Sequence, residues 1–186
     1  MNQTNKNHII EILTDSFQNN KSTNFVIKQD NKRAKRFRAL IEYSIYYGEK
    51  FGEVFLSEDK KACYIILDTE KKKTTLGSII WDLRLVFKTI GVSRVGKVLK
   101  REALIKSHHP TEDFVHLWYI GVSPSVQGKG RGTQLMQTII EKAQSQNKKI
   151  YLETSTQRNF KFYESFGFKE EVTLEQLGYS LKMFSL

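Results

Sequence analysis

Cysteine and proline are nearly missing from this sequence, whose 186 residues include one cysteine and two prolines. A lone cysteine cannot close a disulfide within the chain, which excludes a scaffold stapled in the manner of small secreted domains. Cys63 lies in the apolar run Ala62-Cys63-Tyr64-Ile65-Ile66-Leu67, so it reads as a buried strand residue rather than a nucleophile. Few prolines, with 39% hydrophobic and 12% aromatic residues, exclude a disordered or low-complexity chain. No apolar run approaches the ~20 residues needed to span a bilayer. The N-terminus is polar, with no charged stretch leading into an apolar one. No secretory leader is therefore expected, and the expected compartment is cytoplasmic. Internal repeats and linker-like segments are absent too, and the length suits a single domain over residues 1–186 with a core of its own.

Thirty Lys and Arg against 20 Asp and Glu give a net charge of +10. That excess suits an acidic partner, whether nucleic acid, an anionic membrane or a polyphosphate cofactor. A solvated lysine-rich surface accounts for it equally well. The basic residues occur throughout the chain and match no nucleic-acid motif, so neither a nucleic-acid nor a membrane partner is expected.

Hydrophobic spacing predicts the order of elements. Residues 1–50 read as helical, with Ile9, Ile10, Ile12, Leu13 and Phe17 near helical spacing and a second helix over 31–47. Strands over 53–58 and 61–68 are joined by a turn at Asp59-Lys60. Helices over 75–90 and 92–106 follow, then a long apolar strand over 113–122. A helix over 132–146, a strand over 149–153, a short helix over 159–166 and two strands around Val172 and Leu181 complete the chain. The pattern is that of an α/β, or layered α+β, fold.

The strongest local signal is Val122-Ser123-Pro124-Ser125-Val126-Gln127-Gly128-Lys129-Gly130-Arg131-Gly132-Thr133. A strand ends, three glycines follow at alternate positions, and a helix begins. Glycines allow the backbone to curl close to a ligand. The first amides of a helix have no partner within it and carry the positive end of its dipole. Lys129 and Arg131 add charge, so the segment is suited to a pyrophosphate. It matches neither the Walker loop nor the G-x-G-x-x-G dinucleotide turn. The alternative is a tight strand-to-helix turn with no ligand.

Gln-Gly-x-Gly-x-Gly between an apolar strand and a helix resembles the signature of the GNAT N-acetyltransferase superfamily. The resemblance extends to Leu152-Glu153-Thr154-Ser155, Asn159, Phe162-Tyr163-Glu164 and Gly167-Phe168, covering about residues 108–170. Gly-Val-Ser-Pro before the turn, with Leu-Glu-Thr-Ser and Phe-Tyr-Glu after it, is most similar to puromycin N-acetyltransferase-like members. This resemblance implies a mixed, mostly antiparallel central sheet flanked by helices, with two strands splayed at the cofactor site. It implies acetyl-CoA as cosubstrate, with pantetheine along the backbone of Ile120, Gly121 and Val122. The pyrophosphate would lie on the amides of Gln127, Gly128, Lys129, Gly130, Arg131, Gly132 and Thr133, and Asn159 would bond the pantetheine.

Acetyl transfer needs a neutral amine, a donor to the oxyanion and a proton for the leaving thiolate. A backbone N–H near Ile120 suits the oxyanion. Tyr163 matches the family tyrosine near the thioester sulfur and is the candidate acid, the alternative being an aromatic packed among Phe160, Phe162, Phe166 and Phe168. His116 sits where histone-type members carry a glutamate base, and Glu153 ends the next strand. Each is a candidate base, and each has an alternative as a structural residue; the family also allows proton transfer through water alone. His108-His109 lack a recognisable ligand set, so no metal is expected. The acceptor is expected to be a primary amine of a small molecule or peptide, held by residues 20–60 and 74–110, with Tyr43, Tyr46, Tyr47 and Trp81 as lining or core aromatics. The chain is expected to be a monomer or homodimer. A non-catalytic acyl-CoA-binding module is the alternative function, opposed by the intact Tyr163.

Overall fold

The computed structural model describes residues 1–186. Helix α1 (Gln3–Phe17) starts at Asn2, whose side chain accepts a hydrogen bond from the Asn5 amide at 2.9 Å, and buries Ile9, Ile10, Ile12 and Leu13. The expected second helix forms, preceded by a short helix of its own. A short α2 (Lys21–Val26) is capped by Asn20, and α3 spans Arg33–Phe51, four residues beyond the expected end. Its last turn reaches the sheet because Gly48 has no side chain: a Cβ there would lie 2.6 Å from Val54 Cγ2 and 2.7 Å from Ile65 Cγ2.

Strands β1 (Gly52–Leu56) and β2 (Ala62–Asp68) form the expected hairpin. Helix α4 (Leu76–Leu85) opens on a reciprocal cap between Thr75 and Ser78 and runs into a π-helical turn, Val86–Ile90. Helix α5 (Val95–Lys106) starts three residues later than its periodicity suggests, after a short 3-10 turn. Then come β3 (Val115–Val122), α6 (Arg131–Ser145), β4 (Ile150–Thr154), α7 (Phe160–Glu164), β5 (Lys169–Leu174) and β6 (Leu181–Ser185).

The six strands form one sheet in the order β1-β2-β3-β4-β6-β5. Only the β3–β4 pair is parallel, so the sheet is the mixed, mostly antiparallel one expected. On one face, Leu135, Met136, Ile139 and Ala143 of α6 and Tyr163 of α7 pack on Ala62, Tyr64, Ile66, Val115, Leu117 and Leu152. On the other, α1 and α3 cover Cys63, Ile65 and Tyr119, while Ile105 of α5 packs with Tyr151, Leu181 and Met183. Helix α4 lies outside α3, with Trp81 stacked on Tyr46 at 4.9 Å between ring centroids. No helix is long and apolar enough to cross a membrane.

Strand β3 carries a bulge. Ile65 faces Tyr119 and Ile66 faces Leu117, so Trp118 has no partner on β2. Val115 and Leu117 before the bulge, and Ile120 and Val122 after it, therefore all turn to the α6 face.

Candidate functional site

The site begins where a ladder stops. Strands β3 and β4 pair only at Val115–Ile150 and His116–Tyr151. Past these residues β4 pairs with β6 on its other side, through Leu152, Glu153 and Thr154, and β3 stays paired with β2. The facing edges of 117–122 and 152–154 are thus unpaired with each other, leaving backbone groups free for an extended guest. Ile120 and Val122 lie on this edge. Gly121 has a further packing reason: a Cβ would meet Leu13 Cδ2 of α1 at 2.8 Å.

The glycine turn lies at one end of this opening. Gly128 and Gly130 adopt φ of 75° and 76°, conformations that disfavour a side chain, and a Cβ on either would meet no protein atom within 4 Å. Gly130 caps α6, which starts at Arg131. The amides of Gly128, Lys129, Gly130, Arg131, Gly132 and Thr133 donate to no protein group; the first closed bond of the helix runs from the Gln134 amide to the Gly130 carbonyl at 3.1 Å. These are the orphan donors of a helix start, gathered with its dipole behind them. The Gln127 amide differs, since it faces the Pro124 carbonyl at 3.4 Å. The Gln127 side chain instead donates to the Val122 carbonyl at 3.0 Å, tying the turn to the strand. Lys129 is exposed, and Arg131 pairs with Asp59 in the β1–β2 turn.

Asn159 lies in the 3-10 turn leading into α7, and its carboxamide has no partner in the protein. One turn later Tyr163 is buried, at 5% exposure, with its ring against Phe162, Phe168 and Phe184. Its hydroxyl makes no hydrogen bond to the protein, yet it is not among the sealed, unpartnered polar atoms. Burial pushes its pKa up, so the phenol stays protonated.

On the opposite face of the sheet, at the point where the ladder ends, Glu153 sits between two histidines. His116 Nε2 lies 2.7 Å from one carboxylate oxygen and His109 Nε2 lies 2.7 Å from the other. The three side chains are only 13–19% exposed. Burial alone would raise the Glu153 pKa, but the charges and hydrogen bonds of His116 and His109 outweigh it and hold the carboxyl well below its ordinary range. An ionised carboxylate only accepts, so both imidazoles donate Nε2–H. Each then turns Nδ1 outward, without a protein partner.

The structure thus brings His116 and Glu153 together as one hydrogen-bonded unit and adds His109, which sequence reasoning did not assign. Its doublet with His108 was visible, but its partner lies 44 residues away and no local pattern links them. His108 turns back to the end of α5, with Nδ1 2.9 Å from the Leu104 carbonyl. The aromatics Tyr43 and Tyr47 donate to Asp82 at 2.8 and 2.7 Å and pack edge-on to Trp118, continuing the wall of this face beyond His116.

The sequence family described as Acetyltransferase (GNAT) family matches residues 7–168. Among solved structures, a histone acetyltransferase HPA2 and related acetyltransferase from Corynebacterium glutamicum is similar at 18% identity, over 100% of this chain and 92% of that one, with a TM-score of 0.67. A mosquito arylalkylamine N-acetyltransferase like 5b is similar at 14% identity, over 99% and 95%, with a TM-score of 0.61. An N-acetyltransferase from Staphylococcus aureus Mu50 is similar at 12% identity, over 98% and 96%, with a TM-score of 0.60. At these identities the three establish likeness of fold.

Proposed function

Because the chain belongs to the GNAT acetyltransferase family, we propose that it transfers an acetyl group from acetyl-CoA to a primary amine of a small molecule or peptide, as one acetyltransferase domain over residues 1–186. The observation that carries this reading is the opening between β3 and β4, with unpartnered amides at one end and the His116–Glu153 pair on its floor. Acetyl-CoA supplies an acyl group activated as a thioester. The residues fit such a cosubstrate. Six free amides suit a pyrophosphate, and the bare α-carbons of Gly128 and Gly130 leave the approach open. The unpaired edges suit the amides of pantetheine, and Asn159 has an uncommitted carboxamide to add.

The protein's part in transfer follows from geometry. The unpaired β3 edge near Ile120 provides a backbone donor for the oxyanion, a type of contact that contributes about 3 kcal/mol to transition-state stabilisation. His116 takes the amine proton at Nδ1 while Glu153 accepts from Nε2–H and stabilises the imidazolium, as in a base–orienter pair. Tyr163, kept neutral by burial, gives its proton or a hydrogen bond to the departing thiolate.

The acceptor reaches the histidine face. A cavity of about 560 Å³, lined by Phe25, Leu104, Leu177, Lys97, Lys100 and Arg101, adjoins the apolar cluster that holds Tyr151. The test is a screen of amines with acetyl-CoA, detecting free thiol. Puromycin belongs in it because of the motif resemblance, beside polyamines, amino acids and peptides. Thermal stabilisation by acetyl-CoA is expected at roughly 5–10 °C for a hundredfold excess over Kd. No shift at saturating concentration would overturn the cofactor assignment.

A further inference from the structure

His109 lies in the turn between α5 and β3, away from the glycine turn and from the segment 159–168. Three features hold it in place. Its amide donates to the Lys106 carbonyl at 3.1 Å. The Tyr151 hydroxyl, rising from β4 itself, donates to the neighbouring His108 carbonyl at 3.0 Å. Its ring packs edge-on against Phe114, Tyr151 and His116 at centroid distances of 5.2, 5.5 and 5.7 Å. The turn thus aims Nε2 at Glu153 rather than into solvent.

Glu153 has two oxygens and two partners, one histidine each. A carboxylate bonded on one oxygen alone can swing about its side-chain torsions, and its free oxygen would sit unpaired in a mostly buried place. With both oxygens taken, Glu153 has a single orientation, which sets the plane and the protonated nitrogen of His116. We propose that His109 is a positioning residue of the acetyl-transfer site: it fastens the far oxygen of Glu153, so that Glu153 holds His116 with Nδ1 free for the acceptor amine. The residue arrives on the segment that includes α4 and α5, so the part of the chain expected to hold the acceptor is also fastened to the base.

This rests on the transfer reading, and two variants with opposite losses separate it from packing. His109→Gln keeps an Nε donor at similar reach but loses the aromatic ring. His109→Phe keeps the ring against Phe114 and Tyr151 but loses the donor. Positioning predicts that His109→Phe lowers kcat roughly 10- to 100-fold, the factor corresponding to a lost hydrogen bond to a charged group, with KM for acetyl-CoA unchanged, and that His109→Gln recovers most of it. The reverse order, or a His109→Phe enzyme within twofold of the unaltered chain, overturns the proposal. A second readout needs no acceptor. The chain has four histidines, few enough for long-range nitrogen–proton NMR to assign the His116 tautomer. His116 is expected as the Nε2–H form in the unaltered chain and in His109→Gln, and as a mixture in His109→Phe. An unchanged tautomer in His109→Phe counts against the proposal. If the unaltered chain acetylates no amine, that failure belongs to the transfer reading, and the tautomer arm still decides the part of His109.

Discussion

Replacing Gly130 by alanine separates the cofactor cradle from the fold that carries it. Gly130 has φ of 76° and caps α6. An alanine in that left-handed conformation costs roughly 1–2 kcal/mol, offset in part by about 0.4–1 kcal/mol from the stiffer unfolded chain. The new Cβ meets no protein atom within 4 Å, so no clash is added. The net loss is about 1 kcal/mol, or roughly 2–4 °C in Tm for a chain of this length. Binding should suffer far more. The methyl group enters the space onto which the free amides of 128–133 open, and keeping an anion from two of them forfeits roughly 1.5–3 kcal/mol each. Affinity for coenzyme A should therefore fall about a hundredfold or more, measured by titration calorimetry on protein shown to be folded by circular dichroism. Gly48→Ala is the comparison. Its Cβ would strike Val54 and Ile65, an overpacking cost of about 1–3 kcal/mol against a helix-propensity gain near 1 kcal/mol, and it lies away from the turn. Comparable stability with unequal affinity is the expected pattern. A Gly130→Ala protein that binds coenzyme A within threefold of the unaltered chain would refute the cradle.

Tyr163→Phe should lower kcat by about 10²–10⁴-fold while shifting Tm by no more than ~1 °C, because the hydroxyl has no partner in the protein to lose; equal losses in both would point to a packing role. Glu153 and Asp68 predict an acid limit to stability. Burial opposes ionisation at Asp68 too, but Lys148 and Lys71 hold its carboxyl below the ordinary range. Groups with depressed folded-state pKa contribute stability above their unfolded values, about 3.9–4.3, and lose it as pH falls below them. The urea midpoint should thus drop steeply below about pH 4, and a flat midpoint from pH 6 to 3 would contradict the ionised cluster. Tyr47→Phe removes one of two hydroxyls from Asp82 and should cost about 1 kcal/mol in urea unfolding, leaving acetyl-CoA binding as it was.

What was legible in the chain was what is local. Three alternating glycines before an amphipathic helix announce free amides whatever surrounds them, and the structure leaves those of 128–133 without protein partners. The hairpin at Asp59-Lys60 and the core faces of α1 and α6 were likewise readable from spacing. The bulge at Trp118 was not, because Val115–Val122 is apolar on both faces and gives no period to break. The end of α3 was misplaced because Gly48, a weak helix former by propensity, is demanded there by the approach of Val54 and Ile65. His109 was unassigned because its role is defined by Glu153, far along the chain. The pairing exists only once β3 and β4 lie side by side.

The bulge at Trp118 gives β3 two halves that count residues differently. Up to Leu117 the odd-numbered side chains look toward α6; from Ile120 the even-numbered ones do. Deleting Trp118 would remove the extra residue and let Leu117 and Tyr119 follow each other opposite Ile66 and Ile65, so the faces of the second half would stay as they are. Tyr119 would remain buried against α1 and α3, and Ile120 and Val122 would still look toward α6. The bulge is thus where the count of the histidine end of β3 passes into that of its glycine-turn end, and losing one residue there is a length change the strand can absorb without turning a side chain.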